Sequence, residues 1–218
     1  MSVAAAHLID GPFDAPATLV LAHGAGAAMD SPFMAAMASG LADRGWRVAR
    51  FEFPYMAQRR LDGKQRAPDR LPKLLEAFRE QVSALQGQGV SAPLVIGGKS
   101  MGGRLASLLV DELAASAGVI GCLCLGYPFH PPGKPDQLRT EHLQALATPT
   151  LILQGERDTF GKRGEVETYG LSTAIQLGWL TTGDHSFKPT RSSGLSEADN
   201  WQAAVTIADQ FMQRVLAA

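Results

Sequence analysis

The run Val95-Ile96-Gly97-Gly98-Lys99-Ser100-Met101-Gly102-Gly103-Arg104 constrains this chain more than any other, because it wedges a Gly-x-Ser-x-Gly pentapeptide between a strand and a helix. Pro93 to Ile96 reads as a short buried strand, and Met101 to Ala115 carries Met101, Leu105, Leu108, Leu109 and Leu113 at helical spacing. Reversing the chain in so few residues forces the serine into a strained backbone conformation and makes Gly98 and Gly102 sterically required. The Ser100 hydroxyl is then lifted clear of the sheet, where a nucleophile belongs. Gly98-Lys99-Ser100 also matches the end of a phosphate-binding loop, but that loop needs glycine five residues before Gly98, and Pro93 stands there inside the strand. A structural serine capping a helix is the plainer reading of the pentapeptide alone, so the motif needs partners.

A nucleophilic serine needs a base and an acid to orient that base, here expected in the order Ser, Asp, His on loops after successive strands. Pro149 to Gln154 is a compact apolar strand ending in Gly155-Glu156-Arg157-Asp158, so Asp158 is the expected acid and Glu156 its competitor. Ala174 to Leu180 reads as a further strand followed by Thr181-Thr182-Gly183-Asp184-His185, so His185 is the expected base. His7, His23, His130 and His142 compete for that role, but none follows the last strand. Leu19 to Ala22 runs into His23-Gly24-Ala25-Gly26, whose small residues let backbone N–H groups face the reacting carbonyl. Ala25 and Met101 are the expected oxyanion donors, with His23 a structural residue pinning the loop through its ring nitrogens. Alone, that loop would be an ordinary glycine-rich turn.

With these elements in order the chain resembles the α/β-hydrolase superfamily, in particular its small cap-less members akin to dienelactone hydrolases. Phe53-Pro54-Tyr55-Met56, Gly63-Lys64, Pro68-Asp69-Arg70, Gly97 to Arg104, Leu125 to Pro135 and Arg139-Thr140-Glu141-His142-Leu143 are similar to the hydrolase-like domain of testis-expressed proteins and of a histone-acetyltransferase complex subunit. The resemblance spans nearly the whole chain and implies a fold and a triad, without a substrate. Dienelactone hydrolases use a cysteine nucleophile, so Ser100 argues against carrying their substrate over.

The expected fold class is α/β: one domain, 1–218, with a doubly wound, mostly parallel sheet of about seven strands flanked by helices and no large cap. Strands are predicted at His7 to Asp10, Thr18 to Ala22, Arg47 to Phe53, Pro93 to Gly97, Val119 to Leu125, Thr150 to Gln154 and Ala174 to Leu180. Helices are predicted near Pro32 to Arg44, Asp69 to Gln86, Met101 to Ala115, Asp136 to Ala147, Glu165 to Tyr169 and Ala198 to Leu216, the last capped by Ser196 and Asp199. Trp46, Trp179 and Trp201 read as core packing. With 218 residues, 45% of them hydrophobic, the chain can bury a core without staples.

A net charge of -1 gives no global attraction to nucleic acid or anionic membrane. Met1 to Gly11 lacks a basic start and a sustained apolar run, so no signal peptide is expected, and no segment approaches the ~20 apolar residues of a membrane span. Cys122 and Cys124 alternate along one strand and read as small buried hydrophobes in a reducing compartment, which makes a cytoplasmic location the expectation. No metal or other cofactor is expected.

The segment Gly126 to Thr148 is too short for a multi-helix lid. A shallow pocket walled by Tyr127, Phe129, Pro131, the Tyr55-Met56 loop and Lys99 is therefore expected, suited to a small ester or thioester or the exposed end of a larger molecule. Gln58 to Lys73 carries Arg59, Arg60, Lys64, Arg66, Arg70 and Lys73 against Asp62 and Asp69, and reads either as an attractor of anionic substrates or as a solvated loop whose arginines pair with carboxylates. The sequence points to a serine hydrolase of carboxylic esters or related acyl derivatives. The alternative is a non-catalytic or weakly active interaction module of the same fold.

Overall fold

The structure is a computed structural model and describes residues 7–89 and 92–218; most of the leader reading over Met1 to Gly11 lies outside it. Among these residues the sheet has seven strands: β1 (Leu8–Asp10), β2 (Thr18–Ala22), β3 (Arg47–Phe51), β4 (Leu94–Lys99), β5 (Val119–Leu125), β6 (Thr150–Gly155) and β7 (Ile175–Leu180). Their order is β1-β3-β2-β4-β5-β6-β7, with β1 antiparallel and the rest parallel. No described helix is long and apolar enough to cross a membrane.

Side chains alternate between two cores, as period-two geometry requires. Val20, Ile96, Cys122, Cys124 and Ile152 meet one set of helices, while Leu19, Val95, Leu123, Leu125 and Leu151 meet the other. On the first face lie α3 (Leu71–Gly87) and α4 (Met101–Ala117), through Leu74, Phe78, Leu105 and Leu109. On the second lie α1 (Pro32–Ala42) and α6 (Glu197–Ala217), through Met34, Met37, Ala204 and Phe211. Ser196 caps α6 as expected: its Oγ accepts from the Asp199 N–H at 3.2 Å, and Asp199 Oδ2 accepts from the Ser196 N–H at 2.7 Å. The two cysteine thiols are free and buried together on one face, their sulfurs 3.8 Å apart.

Two segments depart from expectation. Part of the basic stretch is a helix, α2 (Pro54–Asp62), because Pro54 opens it at the first position and Gly63 (φ 70°) closes it in the left-handed region. The helix predicted over Asp136 to Ala147 is only a 3₁₀ turn, Glu141–Gln144. Its neighbourhood holds a different geometry: the Arg139 N–H donates to the Phe129 carbonyl, and the Ala147 and Thr148 N–H groups are held by the Asp111 carboxylate. The predicted helix near Glu165 to Tyr169 shrinks to the single turn α5 (Arg163–Val166).

Candidate active site

β2 leads to β3 on one side and the chain then crosses to β4 on the other, so the carboxyl ends of β2 and β4 flank the crevice where α/β sheets place ligands. Ala22 pairs with Gly98 across that junction. Immediately after β4, Ser100 takes φ 51° and ψ -113°, a left-handed conformation that a non-glycine residue adopts at a cost of about 1–3 kcal/mol. The turn is tight enough that a Cβ on Gly98 would lie 2.5 Å from the Gly102 carbonyl carbon and one on Gly102 would lie 2.6 Å from the Ala22 oxygen. Both glycines are therefore obligatory, as the pentapeptide implied.

The structure brings together the three residues the sequence singled out. Ser100 Oγ lies 2.9 Å from His185 Nε2, and His185 Nδ1 lies 2.8 Å from Asp158 Oδ2. A carboxylate on the far side fixes the tautomer: Nδ1–H donates to Asp158, leaving Nε2 free to accept from the serine hydroxyl. Asp158 is fully buried, and a buried carboxylate is tolerated only with its oxygens satisfied. Its Oδ1 accepts from the Phe160 N–H at 2.9 Å, and its Oδ2 accepts in addition from Gln154 Nε2 at 2.9 Å. Glu156 faces elsewhere, accepting from the Thr182 N–H at 2.8 Å and pairing with Arg163 at 3.0 Å, and these contacts hold its carboxyl below the usual range.

Burial pushes the His185 pKa below the ordinary imidazole value, with the nearby Lys99 charge adding to the shift and the Asp158 carboxylate opposing it. Phe160 stacks on the ring, its centroid 4.2 Å away. The His185 loop is pinned from α6: Asn200 Nδ2 donates to the Thr181 and Phe187 carbonyls, and Trp201 Nε1 to the Ser186 carbonyl. Lys99 Nζ donates to the His185 carbonyl at 2.7 Å and sits 5.4 Å from the Phe33 ring centroid. Burial lowers its pKa to about 8.

The loop after β2 lies against the serine. A Cβ on Gly24 would come within 3.6 Å of Ser100 Cβ. His23 pins this loop as expected, with Nδ1 donating to the Gly24 carbonyl at 2.6 Å and Nε2 accepting from the Phe53 N–H at 3.1 Å. Met101 heads α4, where backbone N–H groups have no intrahelical acceptor.

Ser100 and His185 open onto a cavity of about 470 Å³, lined by Gly24 to Ala27, Ser31 to Met34, Lys99, Phe160, Ser186, Glu197 and Trp201. Lys99 thus stands where the sequence placed it, but the other expected walls do not. Tyr127 and Phe129 are fully buried under the site. After β5 the chain turns inward at Gly126 (φ 67°); Gln154 holds the Tyr127 N–H and carbonyl, and the Tyr127 hydroxyl donates to the Arg139 carbonyl at 2.8 Å. Pro131 is no part of the wall either. Tyr55 is buried beneath the loop after β2, its hydroxyl donating to the Ala25 carbonyl at 2.9 Å. Met56 lines a neighbouring cavity of about 250 Å³ with Arg59 and Arg60. The actual walls come from the starts of α1 and α6 and from Phe160. Trp201, read as core, stands half-exposed in that wall, whereas Trp46 is buried as expected.

Much of the basic segment is neutralised. Arg60 grips Glu52 and Asp30, Arg66 pairs with Asp62, and Lys73 with Asp69. Arg59, Lys64 and Arg70 hold no carboxylate among the described residues.

Fold and site together define a class. Residues 15–213 match the alpha/beta hydrolase domain family, and the chain belongs to it. Among solved structures it is similar to an alpha-beta serine hydrolase homologue from Coxiella burnetii, at 17% identity over 93% of this chain and 90% of that one, with a TM-score of 0.69. It is also similar to a lid-less serine hydrolase from Xanthomonas campestris (18% identity, 100% and 98% covered, TM-score 0.68). A dienelactone hydrolase from Anabaena variabilis matches at 19% identity, 94% and 89% coverage and TM-score 0.71. These likenesses show a common fold.

Proposed function

We propose that this chain is a serine hydrolase that cleaves carboxylic esters or related acyl derivatives through an acyl-enzyme on Ser100. The observation that carries the reading is the unbroken hydrogen-bonded chain Ser100–His185–Asp158, with its serine strained toward a cavity of small-molecule size. His185 Nε2 takes the hydroxyl proton as Ser100 Oγ attacks the carbonyl carbon, and Asp158 stabilises the imidazolium that forms. The negative oxygen of the tetrahedral intermediate is received by the backbone N–H groups of Ala25 and Met101. Collapse expels the alcohol, which takes its proton from His185, and water then releases the acid by the same steps reversed.

The cavity favours a short acyl group or the exposed end of a larger molecule, since Gly126 to Thr148 supplies no helical lid over it. The mixed lining, with Lys99 and Glu197 beside Phe33, Phe160 and Trp201, supports a substrate that is not a plain long-chain lipid. Free, buried Cys122 and Cys124 are in keeping with a reducing, cytoplasmic setting.

An ester and thioester panel assayed with wild type and Ser100→Ala tests the proposal. The substitution should cost on the order of 10⁶ in turnover, the loss seen when a triad nucleophile is removed. Activity retained by Ser100→Ala would refute the acyl-enzyme and leave the interaction-module alternative.

A further inference from the structure

One helical turn beyond Ser100, the side chain of Arg104 on α4 meets the Leu138 to His142 segment at a second cavity. Arg104, Leu108, Leu138, Arg139, Glu141 and His142 line a cavity of about 400 Å³ that shares no lining residue with the active-site cavity. Arg50, Arg60, Arg79 and Arg163 each hold carboxylates, whereas Arg59 and Arg70 hold none among the described residues. Arg104 and Arg139 also go without, and these two share a cavity. Neither guanidinium meets a carboxylate or carbonyl among the described residues, and the Arg104 Nε is buried with no acceptor. A buried N–H without an acceptor is costly, and at the wall of a cavity it can be satisfied by a ligand oxygen.

Burial first, and then the charge of Arg104, hold the Arg139 pKa below the arginine range; the same two causes push His142 down to about 4, so its ring is neutral near pH 7. His142 Nε2 lies 2.9 Å from Ser107 Oγ, whose own proton goes to the Arg104 carbonyl, and this bond holds the far wall in place. Leu138, 48% exposed, and Leu108 supply an apolar flank.

We propose that Arg104 and Arg139 form a second site, separate from Ser100, that binds the phosphate group of a small organic phosphate whose apolar part lies against Leu108 and Leu138. A phosphomonoester carries close to two negative charges near neutral pH and three acceptor oxygens, so it can be gripped from two sides; a carboxylate would leave one guanidinium uncompensated. Glu141 at the rim weakens the site by repulsion.

Calorimetric titration of the Ser100→Ala variant at fixed ionic strength tests this without any turnover, so its outcome is independent of the hydrolase reading. Phenyl phosphate should saturate one site, more tightly than inorganic phosphate and about tenfold or more tighter than benzoate. Arg139→Gln should weaken phenyl phosphate at least about tenfold, and Glu141→Gln should strengthen it. Arg104→Gln should act like Arg139→Gln; both residues are half-buried, and if loss of Arg104 spoils folding, Arg139 still decides. The proposal is overturned if neither phosphate binds saturably, if phenyl phosphate binding survives Arg139→Gln, or if benzoate binds as tightly as phenyl phosphate.

Discussion

Ser100 with its two partners and the wall of the cavity they face are held by different means. The relay hangs from strand ends and buried hydrogen bonds: Asp158 has bonded partners on both oxygens, one of them Gln154, itself tied to the Tyr127 backbone, and Ser100 is locked by glycines with no space for a Cβ. The wall is built from side chains near the starts of α1 and α6, including Pro32, Phe33 and Trp201, and of these three Trp201 alone is hydrogen-bonded to the His185 loop, through the Ser186 carbonyl. One region leaves almost no freedom for replacement and the other leaves a good deal. Substitutions in the relay should therefore destroy the reaction, while substitutions in the wall should change which acyl group is accepted.

The largest separation after Ser100 itself is expected at Asp158. Asp158→Asn should cut kcat by about 10⁴, the scale found when a triad acid loses its charge and the imidazole its tautomer, whereas Glu156→Gln should leave kcat within a few-fold. Steady-state kinetics of the two variants decides, and comparable losses would transfer the acid's role or dissolve it. A smaller effect concerns pH. Only neutral His185 accepts the serine proton, and its pKa is lowered, so kcat/KM should hold to a pH below the 6.5–7 expected for a free imidazole before falling. Lys99 contributes to that lowering, so Lys99→Met should move the acid limb to higher pH; a limb that stays put would remove Lys99 from the electrostatics of the relay.

Legibility followed the same division. Glycines, a serine, an acid and a base at loop starts after strands are local patterns, and the strands themselves are short apolar runs, so the relay and the fold class could be read from residues near one another in sequence. Phe160, Trp201 and Phe33 converge from three distant segments, and Trp201 occupies a helical position indistinguishable by spacing from the buried positions of α6. Gln154 did offer a signal: one amide closing the otherwise apolar strand Thr150–Gly155, fully buried, has to serve a polar partner. What that signal leaves open is the partner: Gln154 holds the Tyr127 backbone across 27 residues, and the burial of Tyr127 and Phe129 is a tertiary outcome that spacing around Gly126 does not show.

The wall can be probed directly. Trp201→Ala and Phe160→Ala should shift the preferred acyl length by roughly 10- to 100-fold in relative kcat/KM, the worth of about 1–3 kcal/mol of apolar contact, with Ser100 still reactive. An unchanged length profile in both variants would mean that the acyl group lies elsewhere. The smallest effect is expected from the basic segment. Because Arg60 is already neutralised by Glu52 and Asp30, the double variant Arg59→Ala, Arg60→Ala should lower kcat/KM for a carboxylate-bearing ester only a few-fold, and only at low salt, where charges more than ~8 Å apart are not screened. Equal responses from a neutral ester would assign the segment a structural role alone.

The central claim is that Ser100 is an activated nucleophile, and covalent labelling by a fluorophosphonate probe, with the adduct located by mass spectrometry, tests it most directly. Wild type should be labelled on Ser100 alone, Asp158→Asn far more slowly, and Ser100→Ala not at all. Wild type that resists the probe, or an adduct on any other residue, would contradict the account.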